Sequence, residues 1–262
     1  MVALELVDIS KDYHDSSGRC VPVLKQLSFA VPAGAFCCVL GPSGCGKTTI
    51  LNIVAGLISP DSGAVRVCST SNTQESARIS YVFQQHRLLP WKTVEGNLEF
   101  VLRATGVPAS EWHGRQRECL ALVGLDQVRE QFPATLSEGM RQRVAIARSL
   151  VVRPTLLLMD EPLSHLDELT ARALRHDLAA LCYTGSYTVL FVTHNAAEAS
   201  YLADQVVVLS NKPTCVRAEM RLDTSRPRDF EGYATLRAQR ELLRLLGVTG
   251  GEPDVPKNSQ MV

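Results

Sequence analysis

Short apolar runs and amphipathic stretches alternate along most of this chain, and the alternation predicts its class. Residues 4–9 and 24–31 read as strands of an amino-terminal antiparallel layer. Residues 35–40 are a compact apolar run, the pattern of a buried strand, and a helical pattern follows over 48–57. Ser59-Pro60-Asp61-Ser62-Gly63 is a strong turn signal, after which 64–68 and 79–83 read as further strands. From residue 93 to 132 the pattern is helical. Residues 95–105 and 110–122 read as two helices split by Gly106-Val107-Pro108, with Ser110 as an N-cap. Strands at 156–159, 188–192 and 206–209 then alternate with helices at 168–182 and 196–203. Residues 230–246 read as an amphipathic helix, and the Gly/Pro/polar stretch 250–262 as a loose tail. Such alternation predicts an α/β fold: a mostly parallel sheet covered on both faces, an antiparallel layer and a helical insert.

Between the strand at 35–40 and the helix after it lies Gly41-Pro42-Ser43-Gly44-Cys45-Gly46-Lys47-Thr48, which fits G-x-x-x-x-G-K-[ST]. Its glycines allow a tight turn that brings backbone N–H groups to phosphate oxygens. The following helix aims the positive end of its dipole at the same anion. Lys47 is expected to reach the terminal phosphates and Thr48 to ligate Mg2+. Cys45 sits inside this loop, where helix dipole and lysine charge are expected to lower its thiol pKa and make it reactive unless ATP covers it.

A second cluster fits the first. Residues 156–161, Leu-Leu-Leu-Met-Asp-Glu, are a hydrophobic strand ending in two acids. In an open α/β sheet, ligands collect at the carboxyl ends of the strands. Asp160 is therefore expected beside the phosphate loop holding Mg2+, with Glu161 one residue further on, placed to polarise an attacking water.

Composition narrows the picture. A length of 262 residues with 45% hydrophobic and 21% charged content suits one large domain or a domain with an inserted subdomain. Lys+Arg and Asp+Glu are both 27, so zero formal net charge leaves no electrostatic footprint for nucleic acid. No apolar run approaches the roughly 18 residues that span a bilayer. The first fifteen residues, carrying Glu5, Asp8 and Asp12, do not read as a signal peptide. Cys20, Cys37, Cys38, Cys45, Cys68, Cys119, Cys182 and Cys215 form no Cys-x-x-Cys pair. They read as reduced, mostly buried small apolar residues of a cytosolic protein rather than zinc ligands.

Further motifs appear in a fixed order. Leu136-Ser137-Glu138-Gly139-Met140 and the segment after it, through Arg148, resemble the LSGGQ signature and helix of the ATP-binding-cassette ATPases. Gln84 matches that family's Q-loop glutamine, Ser164-His165-Leu166-Asp167 its D-loop, Thr193-His194 its switch histidine, and Tyr13 the aromatic that stacks on adenine. The resemblance runs from about residue 4 to 246. It implies a P-loop NTPase fold in a single domain, 1–246, with a helical subdomain inserted at about 93–150. The implied nucleotide contacts are Tyr13, Gly41, Pro42, Ser43, Gly44, Cys45, Gly46, Lys47, Thr48, Thr49, Ser137, Gly139 and Asp167. Thr48, Gln84 and Asp160 are the implied Mg2+ ligands, and Glu161, His194 and Gln84 the catalytic residues. A Ser just ahead of a helix offers a hydroxyl and free N–H groups to an anion. In the family that anion is the γ-phosphate of ATP on a second subunit, which implies a homodimer with two shared sites. Glu138 and Met140 depart from the usual signature. Glu138 is expected to turn away from the nucleotide, along the first turn of its helix.

Arg87-Leu88-Leu89-Pro90-Trp91-Lys92-Thr93-Val94, and Arg226-Pro227-Arg228-Asp229 before the last helix, are similar to importers of the nitrate, sulfonate, taurine and bicarbonate group. This implies a peripheral subunit on the cytoplasmic face of the inner membrane. It would dock on permease subunits near Gln84–Trp91 and serve, indirectly, an extracytoplasmic substrate-binding protein. The alternatives are an ABC ATPase of another transport system, such as an exporter, a soluble cassette protein acting on nucleic acid or ribosomes, and a weakly hydrolysing regulatory cassette.

Overall fold

The computed structural model describes residues 1–68, 77–183 and 187–247. The elements in chain order are β1 (Val2–His14), β2 (Cys20–Pro32), β3 (Phe36–Leu40), α1 (Lys47–Val54), β4 (Ser62–Val67), β5 (Ile79–Val82), α2 (Val94–Ala104), α3 (Ala109–Leu122), α4 (Glu138–Leu150), β6 (Leu156–Asp160), α5 (Glu168–Tyr183), β7 (Thr188–Thr193), α6 (Ala196–Leu202), β8 (Gln205–Leu209), β9 (Val216–Arg221) and α7 (Tyr233–Leu246). The central sheet runs β5-β6-β7-β3-β8-β9. Its pairs are parallel except β8 with β9. A second sheet, β2-β1-β4, is antiparallel.

The apolar runs of the central strands have a direct cause. Phe36, Cys38 and Leu40 of β3 face one core, shared with the helical segments and α7, while Cys37 and Val39 face the other, shared with α1 and the antiparallel sheet. Strands β6 and β7 split the same way, so both faces must be apolar. The carboxyl ends of β3, β6 and β7 lie side by side in register, which gathers the segments after Leu40, Asp160 and Thr193.

Several expectations need correction. Helix α3 starts at Ala109 with Pro108 at its N-cap, so Ser110 lies inside the first turn rather than capping it; the proline ring already sets the φ that the cap requires. Strand β9 had no expected counterpart. Strands β1 and β2 extend to 13 residues each, past the apolar runs, because their polar ends pair with one another. Cys37, Cys38, Cys45 and Cys119 are buried, but Cys20, Cys68 and Cys215 are exposed. The Cys182 side chain and the expected tail lie outside the described residues. Among the described residues, no helix is long and apolar enough to cross a membrane.

Candidate nucleotide site

A cavity of about 630 Å3 opens between the amino end of α1, the antiparallel sheet and the end of β6. Ser43, Gly44, Gly46, Lys47, Thr48 and Thr49 line one side, Tyr13, His14, Asp15, Val21 and Val23 another, with Gln84, Glu161 and Lys212 completing it. Gly41, Pro42 and Cys45 belong to the same loop but do not line the cavity. Gly46 is fixed by its surroundings. Its φ is 108°, and a Cβ there would stand 2.8 Å from Val23 Cγ1.

Lys47 begins α1 and is only 4% exposed. Its ammonium donates to the carbonyls of Gly41 and Pro42, both at 3.0 Å, and lies 3.1 Å from Glu161 Oε1. The loop thus curls around its own lysine and presents the charge toward the cavity. Thr48 Oγ1 lies 3.2 Å from Asp160 Oδ1, and Tyr81 donates from 3.4 Å to the other oxygen of Asp160. Burial pushes the Asp160 carboxyl above its ordinary range, opposed by the Thr48 and Tyr81 hydrogen bonds.

Glu161 leaves β6 with φ of 41°, a left-handed conformation that a residue with a Cβ adopts only under constraint. Its N–H donates to Val192 O, and its carbonyl accepts from Ser164. The turn places the carboxylate between two cations or donors, Lys47 at Oε1 and His194 Nδ1 at Oε2, 3.0 Å away. His194 owes its place to the residue before it. Thr193 donates to buried Glu198 at 2.6 Å and accepts from Asn195 N–H, while the Asn195 side chain caps α6. Gln84 reaches Ser164 Oγ at 3.5 Å.

Not every residue of the expected set meets here. Tyr13 lines the cavity and is 41% exposed. Ser137 N-caps α4, its hydroxyl accepting from Met140 N–H, and Asp167 accepts from Thr170 N–H. Neither lines the cavity, nor does Gly139. Glu138 lies in the first turn of α4 with 44% of its side chain exposed, its carboxylate bonded to Arg141 at 2.6 Å and 3.3 Å from His86 Nε2. The reactive Cys45 is also corrected. The residue is 3% exposed, and burial raises its thiol pKa against the weaker opposing effect of Lys47. Trp91 is 71% exposed, whereas Leu88 packs on the core.

Sequence reading missed Lys212, Val21, Val23 and Tyr81. The loop carrying Lys212 is tied to the phosphate loop by Thr214 Oγ1, which donates to the Cys45 carbonyl, and to β2 by two backbone bonds. No local motif marks such a loop.

Comparison with known proteins agrees with this geometry. A family model described as ABC transporter matches residues 24–164. The chain is 38% identical over 245 residues to an uncharacterised ABC transporter ATP-binding protein of Methanocaldococcus jannaschii, covering 94% of this chain and 91% of that one. It is 42% identical over 206 residues to a taurine import ATP-binding protein of Rhizobium johnstonii, covering 79% of each. It is 36% identical over 238 residues to a nitrate import ATP-binding protein of a Synechocystis strain, covering 91% and 89%. A bacterial ABC transporter cassette solved as a dimer superposes with a TM-score of 0.73 at 29% identity, over 85% of this chain and all of that one. The same cassette in a post-hydrolysis state bound to ADP and Pi gives a TM-score of 0.72.

Proposed function

The chain belongs to the ABC transporter family, and on that premise we propose that it is the ATP-hydrolysing subunit of an importer for a small anion. One observation carries the proposal: a single cavity joins Lys47 and Thr48 of the phosphate loop to Glu161, Gln84 and the Tyr13 ring. We read residues 1–246 as one cassette whose helical subdomain, about 93–150, is inserted between β5 and β6.

In this reading Tyr13 stacks on the base, the loop from Gly41 to Thr49 surrounds the phosphates, and Lys47 draws the terminal ones. The groups near Asp160 suit Mg2+, because the Thr48 hydroxyl, the Asp160 carboxylate and the Gln84 carboxamide oxygen are ligands a hard cation accepts. Bound there, Mg2+ supplies charge neutralisation to the phosphate oxygens. Glu161 accepts a hydrogen bond from the attacking water and orients it, and His194 Nδ1 holds the second carboxylate oxygen in place.

In this reading Ser137, Gly139 and Asp167 meet the nucleotide of a second copy, which agrees with their lying outside the lining of their own chain's cavity. That arrangement gives an isologous dimer with two shared sites. The relatives named for taurine, sulfonate, bicarbonate and nitrate import support the importer reading and the choice of a small anion. Exposed Trp91 supports permease docking around Gln84–Trp91, an anchor of the kind that dominates interfaces. The chain then acts at the cytoplasmic face of the inner membrane, with an extracytoplasmic substrate-binding protein as an indirect partner.

The test is to purify the chain with its permease, reconstitute both in vesicles with the binding protein, and follow Mg-ATP hydrolysis against added taurine, nitrate, bicarbonate or an alkanesulfonate. Hydrolysis stimulated by one of these anions is the expected result. Hydrolysis indifferent to all of them overturns the anion assignment, and no hydrolysis at all overturns the enzyme reading.

A further inference from the structure

Glu138 is a carboxylate in a segment where the family resemblance leads one to expect glycine, and its contacts give it a task. It opens α4, one residue after Ser137. Its Oε2 takes both Nε and Nη2 of Arg141, at 3.2 and 2.6 Å, and Arg141 Nη1 also donates to the carbonyl of Leu136 at 2.8 Å. The amino-terminal turn of α4 is thereby folded back on the strandless segment before it. The other oxygen, Oε1, lies 3.3 Å from His86 Nε2. His86 is two residues beyond Gln84, in the loop that runs to Trp91.

That loop is tied to α4 a second time. Arg148, three turns further along the helix, donates to the carbonyls of His86 and Arg87 at 2.9 and 2.7 Å. Those bonds engage backbone and do not depend on the identity of residue 86. The His86–Glu138 contact is different, because it brings two side chains together and spans from the loop to the helix terminus itself. Burial lowers the His86 pKa against the opposing pull of Glu138, so the attraction across this 3.3 Å contact strengthens when the imidazole takes up a proton.

We propose that Glu138 is a positioning residue that, through His86, locks the Ser137 end of α4 to the segment carrying Gln84. A displacement of the loop between Gln84 and Trp91 is then passed to Ser137 as a unit rather than absorbed by rotation of the helix end. The consequence for turnover rests on the reading of Ser137 as part of a shared nucleotide site; the lock itself does not.

A double-mutant cycle tests it with Glu138→Ala, His86→Ala and both together. Two readouts are taken: backbone hydrogen exchange of the purified chain over residues 84–91 and 136–141, and kcat and KM for Mg-ATP with the permease present. Each single variant is expected to speed exchange in both segments and to lower kcat about three- to tenfold. The double variant is expected to fall no lower than the worse single one. Affinity of the isolated chain for a fluorescent ATP analogue should stay within about twofold of wild type, because neither residue lines the cavity. Unchanged exchange in the segment opposite each substitution overturns the lock. Losses of kcat that multiply in the double variant show that the residues act independently, and also overturn it. A wild-type chain that hydrolyses no ATP sinks the functional reading instead, and the exchange measurement still decides the contact.

Discussion

Lys47 Nζ lies 3.1 Å from Glu161 Oε1, so the lysine of the phosphate loop and the acid after β6 meet inside the cavity. Both side chains are largely shielded from water, which makes each the other's main counter-charge. Glu161→Gln removes that charge but keeps the side-chain shape and an oxygen for His194. Nucleotide binding should persist within a few-fold, while turnover falls by roughly 10²–10⁴, the range for loss of a positioned base. Equilibrium binding of a fluorescent nucleotide beside steady-state phosphate release separates the two effects. A Glu161→Gln variant that turns over at the wild-type rate removes Glu161 from the chemistry.

Cys45 illustrates how burial can outweigh position. A helix amino end and a lysine both favour the thiolate, yet the thiol is enclosed, and burial raises its pKa. Timed maleimide labelling read by peptide mass spectrometry should therefore modify the exposed Cys20, Cys68 and Cys215 well before Cys45. Cys45 labelled first would mean that the loop opens far more readily than its packing implies.

Glu198 predicts a pH effect. It is 7% exposed, and burial lifts its carboxyl pKa above the ordinary 4.5 against the Thr193 hydrogen bond. A folded pKa above the unfolded one means the folded chain binds the proton more tightly, so this group's contribution to stability declines as pH rises from about 4.5 through the folded pKa. Glu198→Gln keeps an oxygen for Thr193 and removes the buried charge. Its thermal midpoint should exceed wild type at pH 7–8, and the gain should shrink toward pH 4. A gain that grows on acidification would reverse the sign of the argument.

The phosphate loop and the Asp160-Glu161 pair were legible in the sequence because their chemistry demands fixed residue types at fixed spacing beside a buried strand. The central strands were legible because both their faces are apolar. What escaped has identifiable causes. Strand β9, Val-Arg-Ala-Glu-Met-Arg, alternates apolar and charged residues with a period of two, and that signal alone would have found it. Lys212 and Tyr81 act through neighbours distant in sequence, Cys45 through Thr214 and Asp160 directly, and no local pattern encodes such contacts. The pairing of Glu138 with His86 spans 52 positions and depends on how α4 packs beside the loop after β5.

Gly139 separates packing from ligand contact. A Cβ at this buried position would stand 2.3 Å from Thr170 Cγ2 on α5, a distance at which the Thr170 side chain or one of the helices must shift. Overpacking of this kind costs about 1–3 kcal/mol. Gly139→Ala should therefore lower the unfolding free energy by about that amount, read from urea denaturation of the purified chain. Thr170→Ser removes only Cγ2 and keeps the hydroxyl, so the double variant Gly139→Ala/Thr170→Ser should regain most of the loss. ATPase activity then discriminates two roles for the glycine. If it serves helix packing, activity recovers together with stability. If its bareness is needed by the phosphate of a second copy, stability recovers and activity does not. The second outcome is the one expected from a signature shared between two chains, and recovery of both would assign Gly139 to packing alone.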